Sequence, residues 1–275
     1  MTAWSPASWS FEPGVVGGIG ALSLAYIIGV WRARPRSIWD EHVVSVGEAT
    51  AFGSAIILLV IALISPLDTL SSYLFSAHML QHMLLVYIVP PLLLAGTPRW
   101  LLEPLLEAPR VRDIARAVTG PIPAIIIFNV ILVIWHMPEA WQAALVDNQI
   151  HAFEHLCFLG AGIIAWFPIF SPVRVVPRLS YPGQMVYLFV QSLVPAVVGA
   201  FITFSGSVIY PLYSGVPKPW GLSPLVDQQL AGLLMKLLGT IFLWILVSVR
   251  FFQWFGHEEH EIEKIVDDSS LSQTS

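Results

Sequence analysis

Five histidines fall at three places in the chain with spacings suited to holding a metal: His78 and His82, then His136, then His151 and His155. Residues four apart on a helix share a face, about 6 Å from one another. His78 with His82 and His151 with His155 make two such pairs, and Glu154 lies on the face of the second. Met79, Met83 and Met137 each adjoin one of these histidines, and Met235 follows much later in the chain. Imidazole suits zinc, copper and iron, whereas thioether favours the soft cuprous ion. The set therefore reads as a copper site. Its ligands are His78, His82, His151 and His155, with His136 next and Met79, Met83 and Met235 as soft auxiliaries. Glu154, Asp227 and Asp68 are placed to orient imidazoles from behind. The bland readings are that a methionine fills a gap in the core, that an acid before an apolar run caps a helix, and that a membrane histidine makes an interhelical hydrogen bond. Cys157 is the only cysteine, so no thiolate cage is available. A site of this kind releases copper readily, which suits hand-over rather than storage. Binding is expected to weaken below about pH 6.5, where free imidazole becomes charged.

The elements that position these residues follow from composition. The 275 residues are 56% apolar and 11% charged, against about 25% charged in soluble domains, and the mean hydropathy is +0.74. This excludes an ordinary soluble globule. A net charge of −5 leaves no basic patch for a nucleic-acid backbone, and one cysteine excludes a disulfide scaffold. An integral membrane protein remains. Seven apolar segments are long enough to cross a bilayer, at 14–31, 46–64, 72–95, 120–137, 151–170, 184–206 and 228–250. The predicted fold is an all-α, polytopic bundle of seven transmembrane helices, because lipid cannot satisfy an open backbone. Pro90, Pro91 and Pro195 fall inside spans and should kink them. Gly14, Gly17, Gly18 and Gly20 give the first span a small-residue face suited to close packing.

Eleven of the thirteen basic residues follow spans one, three, five and seven. The positive-inside rule places them in the cytoplasm, the N-terminus outside and the C-terminus inside. All five histidines then lie at the outer level. Lys218 is the exception on the outer side, and Lys236 falls within span seven. No cleavable signal is expected before span one, where Trp4, Trp9 and Phe11 read as an interfacial aromatic edge. Residues 1–256 form the membrane domain. Residues 257–275, with six acids against Lys264, form an acidic cytoplasmic tail expected to be disordered.

Ser65-Pro66-Leu67-Asp68 leading into His78-Met79-Leu80-Gln81-His82-Met83 resembles the CtaG family of cytochrome c oxidase assembly factors. So do Trp135-His136-Met137-Pro138, His151-Ala152-Phe153-Glu154-His155 and Asp227-Gln228-Gln229-Leu230-Ala231-Gly232. The resemblance runs from about residue 50 to 250. It implies a multi-pass plasma-membrane protein needed to make active haem–copper oxidase, with copper supply as the supposed role. Its motif positions correspond to His78, His82, His136, His151, Glu154, His155 and Asp227. The implied partners are oxidase subunits or other assembly factors, within membrane lipid and without nucleic acid. No enzyme activity is expected. Three other readings exist. His151-x-x-Glu154-His155 matches a zinc metallopeptidase motif. The kinked spans suit a metal transporter. Lys236 in span seven suits a retinal Schiff base, although span three offers no acidic counter-ion.

Overall fold

The computed structural model describes residues 5–32, 43–216 and 218–273. Trp4, Arg34 and Arg36, used above for the aromatic edge and the orientation, lie outside them. Every regular element among the described residues is helical: α1 (Pro13–Arg32), α2 (Val46–Leu63), α3 (Pro66–Ser71), α4 (Phe75–Met83), α5 (Val89–Gly96), α6 (Arg99–Leu102), α7 (Pro109–Thr119), α8 (Pro121–Trp135), α9 (Pro138–Val146), α10 (Asn148–Phe170), α11 (Tyr181–Phe204) and α12 (Pro224–Gln273). Six stretches are long and apolar enough to cross a membrane. They are α1, α2 with α3, α4 through α5, α10, α11, and α12 as far as Glu259. The expected fourth span is α8, whose 15 residues rise only about 22 Å. It meets α7 at a bend of 70°, and the two make a seventh crossing only if taken as one broken span. Gly120-Pro121 forces that bend, since proline cannot continue a helix and biases its predecessor to extended backbone; Gly120 has φ −58° and ψ 151°.

Local chemistry sets several boundaries. Ser45 and Glu48 form a reciprocal capping box at the start of α2, satisfying two of its free amides. Between α4 and α5, residues Leu84–Ile88 widen into a π turn immediately before Val89-Pro90-Pro91. Pro90 has no N–H to give the carbonyl of Val86, four residues earlier. The indole Nε1 of Trp166 on α10 donates to that carbonyl instead, at 2.6 Å. A tertiary donor thus replaces a missing helical one in a place water does not reach.

Packing follows small residues in one place and fails to in another. At Gly232 of α12 a Cβ would lie 2.7 Å from the Gly199 carbonyl oxygen of α11, so these two helices touch backbone to backbone. Gly17, Gly18 and Gly20, by contrast, have no atom within 4 Å of where a Cβ would stand, and α1 has no buried residue. The glycine face of α1 is therefore not used for packing within this chain. Another face of α1 packs on the bundle through Val15, Ile19, Leu22 and Tyr26, with Tyr26 stacked on Phe52 at 3.7 Å and donating to the Gly96 carbonyl at 3.1 Å. At the other end, α12 runs on to Gln273. Helix thus occupies the acidic stretch where a disordered tail was expected, a stretch rich in the strong helix former glutamate.

Replacing Trp166 by Phe keeps the ring but strands the Val86 carbonyl. The expected cost is about 1–3 kcal/mol of stability, read as a lowered midpoint of thermal unfolding in detergent. An unchanged midpoint would show that the kink does not depend on this bond.

Candidate metal centre

Two helices bring the cluster together at one end of the bundle. α4 carries His78 and His82; α10 carries His151, Glu154 and His155. The i, i+4 spacing puts each pair on one face, and the two faces meet. His78 Nε2 and His82 Nε2 are 2.8 Å apart. Each points at the Glu154 carboxylate, His78 Nε2 at 3.7 Å from Oε2 and His82 Nε2 at 3.5 Å from Oε1. The ring centroids of His151 and His155 are 4.3 Å apart, and His151 lies 5.1 Å from His78. His78 and His82 are each 1% exposed, His155 4% and Glu154 0%. The centre is closed to bulk solvent.

This arrangement has the donors of a metal site. Donor atoms of His78, His82 and His155 all lie within 4.8 Å of one another, as do those of His78, His151 and Glu154. His78 Nε2 and His82 Nε2, 2.8 Å apart, each face a different oxygen of the Glu154 carboxylate. His155 Nε2 and both Glu154 oxygens have no hydrogen-bond partner among the described residues. Buried polar atoms are nearly always paired, so these three are open to a further ligand.

The other sequence-derived candidates are placed differently. His136 caps α8, its Nδ1 2.7 Å from the Leu132 carbonyl and its ring 6.3 Å from that of His82. It stands beside the tight group, with Nε2 unpartnered among the described residues. Met79, Met83 and Met235 are buried in the apolar core. Asp68 accepts from Gln81 at 2.9 Å. Lys236 sits over the Phe204 ring.

Asp227 touches no imidazole, contrary to expectation. α4 has no side-chain cap of its own, and Asp227 of α12 supplies one. Its Oδ2 accepts from the Phe75 amide at 2.8 Å, and its Oδ1 from the Ser76 amide and hydroxyl at 3.1 and 2.7 Å. Lys218 Nζ pairs with Oδ2 at 2.9 Å and also donates to the Tyr73 carbonyl. The clamp fixes the first turn of α4, one residue short of a full turn before His78. Tyr213 donates to the Ser71 carbonyl and Tyr210 to that of His136. Burial raises both phenols, so they remain protonated donors. Trp141 of α9 closes the apolar side, its ring 4.4 Å from His78.

Spacing arguments missed Trp141, Gln81, Lys218 and the two tyrosines. Lys218 left a signal, as the one base on the side opposite the other loop bases, and Gln81 stands between His78 and His82 in the motif quoted above. Asp227→Asn leaves the buried ammonium of Lys218 unpaired. Its expected cost is about 3–5 kcal/mol in the unfolding free energy. Lys218→Met combined with Asp227→Asn should recover part of that loss; an equal or larger loss in the double variant would exclude the ion pair as its source.

Comparison with known proteins gives relatives and a family. Curated relatives include uncharacterized proteins of Mycobacterium bovis and Mycobacterium tuberculosis, each 27% identical over 242 residues, covering 82% of this chain and 36% of theirs. One of Mycobacterium leprae is 24% identical over 271 residues, covering 92% and 40%. The chain thus spans well under half the length of these relatives. No solved structure matches it. The family model for the cytochrome c oxidase caa3 assembly factor matches residues 24–257, a stretch that takes in both helices of the cluster and the clamp, and the chain belongs to that family.

Proposed function

We propose that this protein assists maturation of haem–copper cytochrome c oxidase by binding copper at the His78–His82–His155 centre and presenting it to an oxidase subunit or another assembly factor. Family membership supports the process. The convergence of three imidazoles and the Glu154 carboxylate from two helices supports the cargo. Imidazole with one carboxylate holds copper without thiolate, so release is easier than from a cysteine cage. His151, bridging the second donor group, would complete or exchange a coordination position. Glu154 would balance the charge of the ion and keep the dry site near neutrality. The methionines, packed in the core, contribute shape around the centre. No turnover chemistry is needed.

In this reading the protein crosses the plasma membrane seven times, with α7 and α8 as one broken span. The N-terminus is outside, the C-terminus is cytoplasmic, and the cluster lies at the outer level. The distribution of bases supports this orientation. The closed surroundings of Glu154 disfavour the metallopeptidase alternative, because a hydrolytic base must reach substrate.

Full-length protein purified in mild detergent and exposed to cuprous ion should retain close to one equivalent per chain, and His78→Ala with His155→Ala should retain none. In cells, oxidase copper content should fall on deletion and return with the wild-type chain but not with the double variant. Retention that is unaffected by both substitutions, or preferential retention of zinc, overturns the copper assignment.

A further inference from the structure

The buried centre has one polar neighbour that its ligands do not account for. A cavity of about 210 Å³ lies against it. Its lining includes His151, His155, Asp68, Glu12, Ser72 and Asn148. Ser72 and Asn148 are exposed and His151 is half-buried, so the cavity runs from the protein surface to the edge of the closed cluster. His155 belongs to both: it lines the cavity and is a member of the buried triad. His151 likewise lines the cavity and shares a donor group with His78 and Glu154. The Nε2 atoms of both have no hydrogen-bond partner among the described residues.

The carboxylates make this more than a water pocket. Asp68 and Glu12 line the same cavity as His151. Like charges facing one cavity repel unless a cation lies between them. Each carboxylate is held in place. Gln81 donates to Asp68 Oδ1 at 2.9 Å, and Gln81 is itself anchored on the Ala62 carbonyl at 2.7 Å. Glu12 Oε2 accepts from the Val15 amide at 2.8 Å. Fixed negative charge in a recess of low dielectric concentrates cations and speeds their arrival.

We propose that this cavity is the port by which a copper ion enters and leaves the buried centre, with Asp68 and Glu12 collecting the ion and His151 passing it to His155 and His78. The inference rests on the copper-binding reading above. It assigns Asp68 and Glu12 a role in rate rather than in final affinity. Bonds are exchanged one at a time, carboxylate oxygen for imidazole nitrogen, with no change in the oxidation state of the ion. One route serves both directions, so blocking it slows loading and unloading alike and leaves the equilibrium unchanged.

The test follows the transfer of cuprous ion from a weak chromogenic chelator to full-length protein in detergent by stopped-flow absorbance. Glu12→Gln with Asp68→Asn should slow loading by about tenfold or more, while equilibrium occupancy changes less than about threefold. A second arm guards against misfolding. Ser72→Cys in a Cys157→Ser background is capped with a bulky disulfide-forming reagent, which should slow loading to a similar degree, and reductant should restore it. Loading at the wild-type rate in both arms overturns the port and leaves the binding centre standing. A parallel loss of occupancy in the carboxylate variant, with no effect of the cap, also overturns it, by making those acids ligands. Wild-type protein that takes up no cuprous ion overturns the binding reading and the port together.

Discussion

A carboxylate and three imidazoles buried in a helix bundle must neutralise and satisfy one another, because bulk solvent does not reach them. Leaving even one polar group unpaired in such a place costs about 1–3 kcal/mol. Here Glu154, His78, His82 and His155 are all buried, and several of their polar atoms have no protein partner among the described residues. Every neighbouring feature follows from that constraint. Trp141 and Phe158 enclose the imidazoles with aromatic faces, and a polar recess opens beside His151.

Holding such a cluster requires that its two helices cannot slide. The carboxylate of Asp227 does this for α4 by meeting its free amides, where a negative group also complements the helix dipole. Because Asp227 is on α12 and its counter-ion Lys218 is in the preceding loop, the start of α4 is locked to the last span. α10 is locked from below. Trp166 on that helix takes the carbonyl released by Pro90, and Tyr187 donates to the Ala165 carbonyl. The kink in the third span thus serves as an attachment point.

Under the proposed function, three tasks are separated in space. Binding atoms sit in the closed core. Fixed carboxylates stand in a recess at the surface. His151 lies between the two and shares in both. That division allows a site to be selective without being slow, because the groups that attract a cation differ from those that finally hold it.

Composition and periodicity were enough to place the spans, since a 20-residue apolar run has few other uses, and six of the seven segments became helices able to cross a membrane. The i, i+4 spacing also determined which histidines share a face, because helical geometry makes that a local property. Long-range relations were not legible. That α4 and α10 face one another, that Asp227 caps a helix 151 residues earlier, and that Trp141 closes on His78 all depend on how helices are rotated and docked. Rotation and docking are set by packing between residues far apart in the chain. The glycines of α1 and α12 make the same point: both carry small residues, but only Gly232 meets a partner backbone, and the tertiary arrangement alone decides which small face is filled.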